Sequence, residues 1–178
     1  MFLNARLISK LDARFFQYAL QSTIIGAAAA LPQKQIQNGF HFWAEFLTIM
    51  YNTLSDAGAD DGVNRFTAQF KSGANQIGLS GGNDFIDLQT IAVPGRRRTV
   101  GVAGNPENAI HVQGFPWPYL YEAAGSIVVD LRKSGTSTQT CDLVWTGFLI
   151  PVEKCPTAAD FYRALAEEYP GFGVNQSI

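Results

Sequence analysis

The stretch Gly114–Pro151, GFPWPYLYEAAGSIVVDLRKSGTSTQTCDLVWTGFLIP, constrains this chain more than any other. Ser126–Arg132 is a β-branched run and Thr140–Ile150 is a second, and Lys133–Gln139 between them is a turn of Ser, Gly and Thr. The reading is a β-hairpin of two antiparallel strands, entered through aromatic residues. In the second strand Cys141, Leu143, Trp145, Gly147 and Leu149 alternate with Asp142, Val144, Thr146, Phe148 and Ile150. Apolar residues occupy both parities near its C-terminal end, so both faces are expected to be covered there.

Upstream, short strand patterns recur. Phe40–Asn52 places Phe40, Phe42, Ala44, Phe46, Thr48 and Met50 on one parity and His41, Trp43, Glu45, Leu47, Ile49 and Tyr51 on the other, which predicts a strand covered on both faces. Val63–Lys71, Gln76–Leu79, Asp84–Val93, Arg98–Val102 and Ala109–Gln113 continue the series, with Gly, Pro and Asn at the breaks. Strands spaced by roughly ten residues, with no helical pattern between them, predict an all-β chain: an antiparallel β-sandwich or jelly roll. Thirteen Phe, six Tyr and three Trp beside 17 Gly agree with that class, and 16% charged residues leave a surface poor in charge, of the kind that is covered by something else. At 178 residues one domain suffices, divided as an N-terminal arm or helix over 1–35, a sandwich over 36–156, and a C-terminal helix and tail over 157–178.

The ends differ from the middle. Leu7, Leu11, Phe15, Tyr18 and Leu20 follow helical spacing roughly, while Ser22–Ala30 reads equally well as a strand. Phe15–Leu31 is apolar enough to raise a membrane span, but Gln17, Gln21, Ser22 and Thr23 argue for a segment buried against protein instead. At the other end Thr157 is an N-cap, Asp160 falls in the first turn, and Phe161, Ala164 and Leu165 form an apolar stripe, which together predict a short amphipathic helix before Pro170.

Candidate chemistry is thin. Gly78-Leu79-Ser80-Gly81-Gly82 has the pattern of a nucleophile elbow, with Asp84, Asp87 and His111 downstream, yet the strand-then-helix context that an elbow needs is missing and a β-turn is the better reading. Ser55–Gly62 carries the Asp and Gly of a calcium loop, but Thr67 stands where the bidentate acid belongs. His41 and His111 are the only histidines and read as hydrogen-bonded strand residues, so neither a metal nor any other cofactor is expected. Cys141 and Cys155 read as free, part-buried thiols, a disulfide between them requiring an oxidising compartment. Met1–Leu11 has no apolar core closed by a small-residue cleavage site, which points to a chain made in the cytoplasm. A formal charge of −2 supplies no field for nucleic acid or anionic membrane, and Arg96-Arg97-Arg98 is better suited to a solvated loop or a contact between subunits. The rings of Phe115-Pro116-Trp117-Pro118-Tyr119-Leu120-Tyr121 fit either a sugar-stacking surface or a lid over an open end of the sandwich.

As a layout, short strands followed by GFPWPYLY, SIVVDLR, a polar turn and CDLVWTGFLIP, the span Ile36–Pro151 resembles small β-sandwich virion proteins of tailed bacteriophages, found in capsid decoration, neck, collar or tail positions. The resemblance implies a non-enzymatic structural subunit, present in the virion and made in the host cytoplasm. Its partners would be further copies of itself as a homo-oligomer and other virion proteins, with no catalytic residues to carry over. Phe15, Phe16, Tyr18, Arg96, Arg97, Arg98, Trp117, Tyr119 and Tyr121 are the expected contact residues, and the arm Met1–Gln35 is the expected assembly device. A carbohydrate- or ligand-binding sandwich using Trp117, Tyr119 or Tyr121 is the second reading, and an esterase-like enzyme with Ser80 a distant third.

Overall fold

The computed structural model describes residues 2–25, 32–53, 66–77, 85–87, 109–133 and 138–169. Among these residues nine strands and two helices follow in order: α1 (Ala5–Lys10), β1 (Arg14–Ile25), β2 (Gln33–Gln35), β3 (Phe40–Thr53), β4 (Phe66–Ser72), β5 (Asn75–Gln76), β6 (Ile86–Asp87), β7 (Ala109–Tyr121), β8 (Ser126–Lys133), β9 (Thr138–Pro151) and α2 (Ala158–Glu168). They build an antiparallel β-sandwich. One sheet, here sheet A, has the order β1-β9-β3-β7, and sheet B has β2-β8-β4-β5, with β6 also pairing on β4.

The expected hairpin of β8 with β9 does not exist. β8 pairs with β2 and β4 in sheet B, whereas β9 lies between β1 and β3 in sheet A. Both strands are where the sequence puts them, but they stand in different sheets. Crossing is the rule in this fold, since β1 to β2, β2 to β3, β3 to β4 and β7 to β8 also change sheets. Among the described strands, β4 and β5 alone form a hairpin of chain neighbours, turned at Gly73 (φ +59°).

The core lies between the sheets. Sheet A contributes Tyr18, Leu20, Phe42, Leu47, Ile49, Trp117, Tyr121, Leu143 and Trp145, and sheet B contributes Ala68, Phe70, Ile127, Val129 and Leu131. Trp145 is fully buried, and its ring meets Phe70 edge-on with centroids 6.1 Å apart. A second cluster covers one end of the outer face of sheet A, where Leu3, Leu7 and Leu11 around α1 and Phe161, Ala164 and Leu165 of α2 cover Trp43, Leu120 and Ile150. Burial of such side chains contributes about 1.5–3 kcal/mol each. This explains why β9 is apolar on both parities at its C-terminal end: Leu149 points into the sandwich and Ile150 under the helices.

The segment expected as an N-terminal arm is divided between these two layers. Helical spacing holds only for α1, which Asn4 caps by accepting from the Leu7 amide at 2.9 Å, and which stops where Asp12 turns to φ +50°. From Arg14 the period becomes two, and β1 pairs with β9 along its full length, from Arg14 opposite Leu149 to Ile25 opposite Thr138. Tyr18 and Leu20 therefore belong to the central core, and the boundary at residue 36 cuts through the sandwich. The C-terminal helix is as expected. The Thr157 hydroxyl accepts from the Asp160 amide at 3.2 Å and donates to its carboxylate at 2.7 Å, which holds the Asp160 carboxyl below its ordinary range.

Strand β3 departs from simple alternation. Its register shifts between Ala44 and Phe46, so Phe42 and Ala44 point inward before Glu45, and Leu47 and Ile49 after it. Opposite the shift stands Gly147, where a Cβ would collide with the Trp43 carbonyl and lie 2.9 Å from the Ala44 Cα. A glycine in mid-strand is what such a close backbone approach requires. The aromatic stretch is likewise part of the framework rather than a lid. β7 runs through Pro116 and Pro118 as the edge of sheet A, where a missing N–H costs no ladder bond on the solvent side.

Candidate functional site

The helices cover only one end of sheet A. Beyond them the outer face presents β1, β9, β3 and β7 in rows set by the register: Gln17, Thr146, Phe46 and Pro116 form one row, and Ala19, Val144, Thr48 and Gly114 the next. A third row begins with Gln21, Asp142 and Met50. Phe15 is 64% exposed and meets Phe148 edge-on at 6.1 Å, while Phe46 is 37% and Phe2 47% exposed, their rings stacked at 4.8 Å. Asp142 is the one ionisable side chain in these rows. Burial raises its carboxyl above the ordinary value, and its Oδ1 has no hydrogen-bond partner among the described residues. The face is broad and poor in charge, and it is suited to lying against another protein surface.

Glu45 anchors the border between the helices and this face. Its side chain is buried and accepts from the Leu3 amide, and burial outweighs that hydrogen bond in raising its carboxyl. His41 ties the covered end together: Nε2 lies 3.0 Å from the Cys155 carbonyl, and Nδ1 accepts from the Ala123 amide at 3.1 Å. With Nδ1 an acceptor, the neutral ring carries its proton on Nε2, which donates to the carbonyl. The hydrogen-bonded histidine expected at position 41 is thus found, and both its nitrogens are spent on structure.

The expected contact residues separate into three groups. Phe15 is on the open face, with Phe16 half-buried beside it at the edge of the core. Tyr18, Trp117 and Tyr121 are core residues and cannot meet a partner in the folded chain. Tyr18 accepts from the Gln37 amide at 2.8 Å, and Trp117 Nε1 donates to the Tyr121 hydroxyl at 3.3 Å, whose ionisation is pushed well up by burial. Tyr119 is half-buried, edge-on to Tyr121 at 4.8 Å. A sugar-stacking platform across Trp117 and Tyr121 is therefore excluded: the first is 5% exposed and the second is sealed. Arg96, Arg97 and Arg98 lie outside the described residues, as do Ser80, Asp84 and the acidic stretch Ser55–Gly62.

Asp87 and His111 stand in β6 and β7, two strands of different sheets. Cys141 belongs to the core between the sheets and Cys155 to the cluster under the helices, so sheet A separates them and no disulfide joins them. Burial pushes the first thiol up to about 12 and the second to about 11, leaving both protonated and unreactive at neutral pH. Among the described residues no three of His, Cys, Asp and Glu come together, and no helix is long and apolar enough to cross a membrane.

Sequence reasoning missed Phe2, Phe46 and the outward stripe Gln17, Ala19 and Gln21. The signal was present in β1 as inward Phe16, Tyr18 and Leu20 alternating with these outward residues, and the helical spacing that ends at Leu11 obscured it.

No family model and no curated protein matches the chain. Among solved structures, "Structure of infectious bursal disease virus Gx strain" aligns with 88% of this chain at 14% identity and a TM-score of 0.21, a likeness too slight to bear on fold or function. The chain spans about half the length of that one, 48% of which is covered.

Proposed function

We propose that this protein is a structural subunit that works by packing against further copies of itself and other proteins of a particle, and specifically a bacteriophage virion component of the capsid-decoration, neck, collar or tail type. The observation that carries the reading is the part of the outer face of sheet A that neither described helix covers, with Phe15, Phe46 and Phe2 exposed and Asp142 the single ionisable group in its described rows. A sheet face with three exposed phenylalanines and so little charge is well suited to packing against another protein. The layout of Ile36–Pro151 supplies the virion-specific part of the proposal.

The test is size in solution. Sedimentation of the purified protein over a wide concentration range should give species larger than one chain, and Phe15→Glu should shift them toward the single chain with the circular dichroism spectrum unchanged, because that ring is 64% exposed. A protein that stays monomeric at every concentration removes the self-assembling reading.

A further inference from the structure

We propose that β1 is the docking edge of the molecule and that its occupant is β1 of a second copy, paired antiparallel about a two-fold axis beside Ala19. The inference rests on the self-assembling reading above and names the contact. Edge strands offer unpaired N–H and C=O groups that recruit other strands, and folded proteins ordinarily blunt them. Among the described strands, three of the four sheet edges carry such protection. β7 contains Pro116 and Pro118, β2 has only three residues with Lys34 at its centre, and β5 and β6 beside β4 have two residues each.

The fourth edge does not. β1 is 12 residues long, RFFQYALQSTII, with Arg14 its single charged residue and no proline. Its register against β9 is unbroken by any bulge, and among the described residues β9 is the strand it pairs with.

The composition of this edge favours itself as partner. Between Phe15 and Ile25 no formally charged side chain opposes a second copy, and antiparallel pairing about Ala19 places Arg14 near the far end of its mate. The same register sets Gln17 opposite the second copy's Gln21, two uncharged amides able to hydrogen-bond across the strands, and the small Ala19 opposite itself. The two copies of sheet A would then form one continuous eight-stranded sheet.

Charge placement tests this. Ala19 is exposed, so a charged side chain there reaches solvent in the single chain. In the proposed pair Ala19→Lys opposes two ammonium groups and Ala19→Glu two carboxylates, so each variant should dimerise roughly tenfold more weakly than the native chain. An equal mixture of the two should recover association. A second set guards against misfolding of the first: Gln17→Lys with Gln21→Glu places opposite charges across both symmetric contacts, and Gln17→Lys with Gln21→Lys places like charges there. The first pair should associate more tightly than the second at low salt, read by sedimentation. If the native chain associates while both Ala19 variants match it, or the two double variants do not differ, β1 is not the contact, although self-assembly stands. If the native chain is monomeric, both readings fall together.

Discussion

Among the described glycines Gly147 leaves the least room for a side chain, because the bulge of β3 presses the Trp43 carbonyl onto the place where one would begin. Backbone cannot swing aside as a flexible side chain can, so Gly147→Ala should cost about 3 kcal/mol, at the upper end of overpacking penalties, read as a lowered denaturant midpoint with an unchanged slope. Glu45, one residue past the point of contact, makes stability depend on pH. Its folded-state value lies above the ordinary 4.5, so the folded state holds the proton more tightly than the unfolded state does. The resulting stabilisation is fully present below the ordinary value and is lost as pH rises through the raised one. Glu45→Gln can still accept from the Leu3 amide but does not titrate. The stability of the native chain relative to this variant should therefore fall as pH rises from about 4 to about 7, and a difference that stays flat would place the titration elsewhere.

At the scale of elements, the strands were legible and their neighbours were not. Alternation in Thr140–Ile150 separated the residues of β9 into its two faces, because period two follows from the pleat alone. It carries no information on which strand lies alongside, so β8 and β9 were joined by their nearness in sequence and are in fact held in different sheets. The parity of β3 failed for a local reason, the extra residue at Glu45, which reverses the faces that follow. Of the expected contact residues Phe15 is exposed whereas Trp117 and Tyr121 are buried: large rings beside prolines resemble an exposed platform, yet inward pointing from an edge strand buries them. The same pairing makes the N-terminal segment part of the sandwich rather than an arm outside it. Deleting residues 1–35 removes β1 with its twelve paired positions on β9, the core side chains Tyr18 and Leu20, and Leu3, Leu7 and Leu11 over Trp43. The truncated chain should show no cooperative thermal transition, and a truncated chain that melted sharply would mean that β9 can serve as an edge.

Across the whole molecule, the two helices make the ends of the fold a single unit. Asn4 Nδ2 donates to Glu168 at 3.0 Å, Lys10 pairs with Glu167 at 2.8 Å, and the Tyr169 hydroxyl donates to the Phe2 carbonyl at 2.9 Å. The exposed pair of Lys10 and Glu167 adds little by itself. The apolar contacts beneath, Leu7 and Phe161 among them, hold the helices to sheet A. That meeting of Phe2 with Tyr169 makes the described fold close to a ring, in which the place where the chain is cut is almost arbitrary. A circular permutant of residues 2–169 that joins Tyr169 to Phe2 by a short flexible linker and opens the chain between β8 and β9 should reach the same two sheets, with the far-ultraviolet spectrum and melting cooperativity of the parent. It would also move the open ends of this segment from the meeting of Phe2 and Tyr169 to the place between β8 and β9, so that a fused cargo leaves from between the sheets instead.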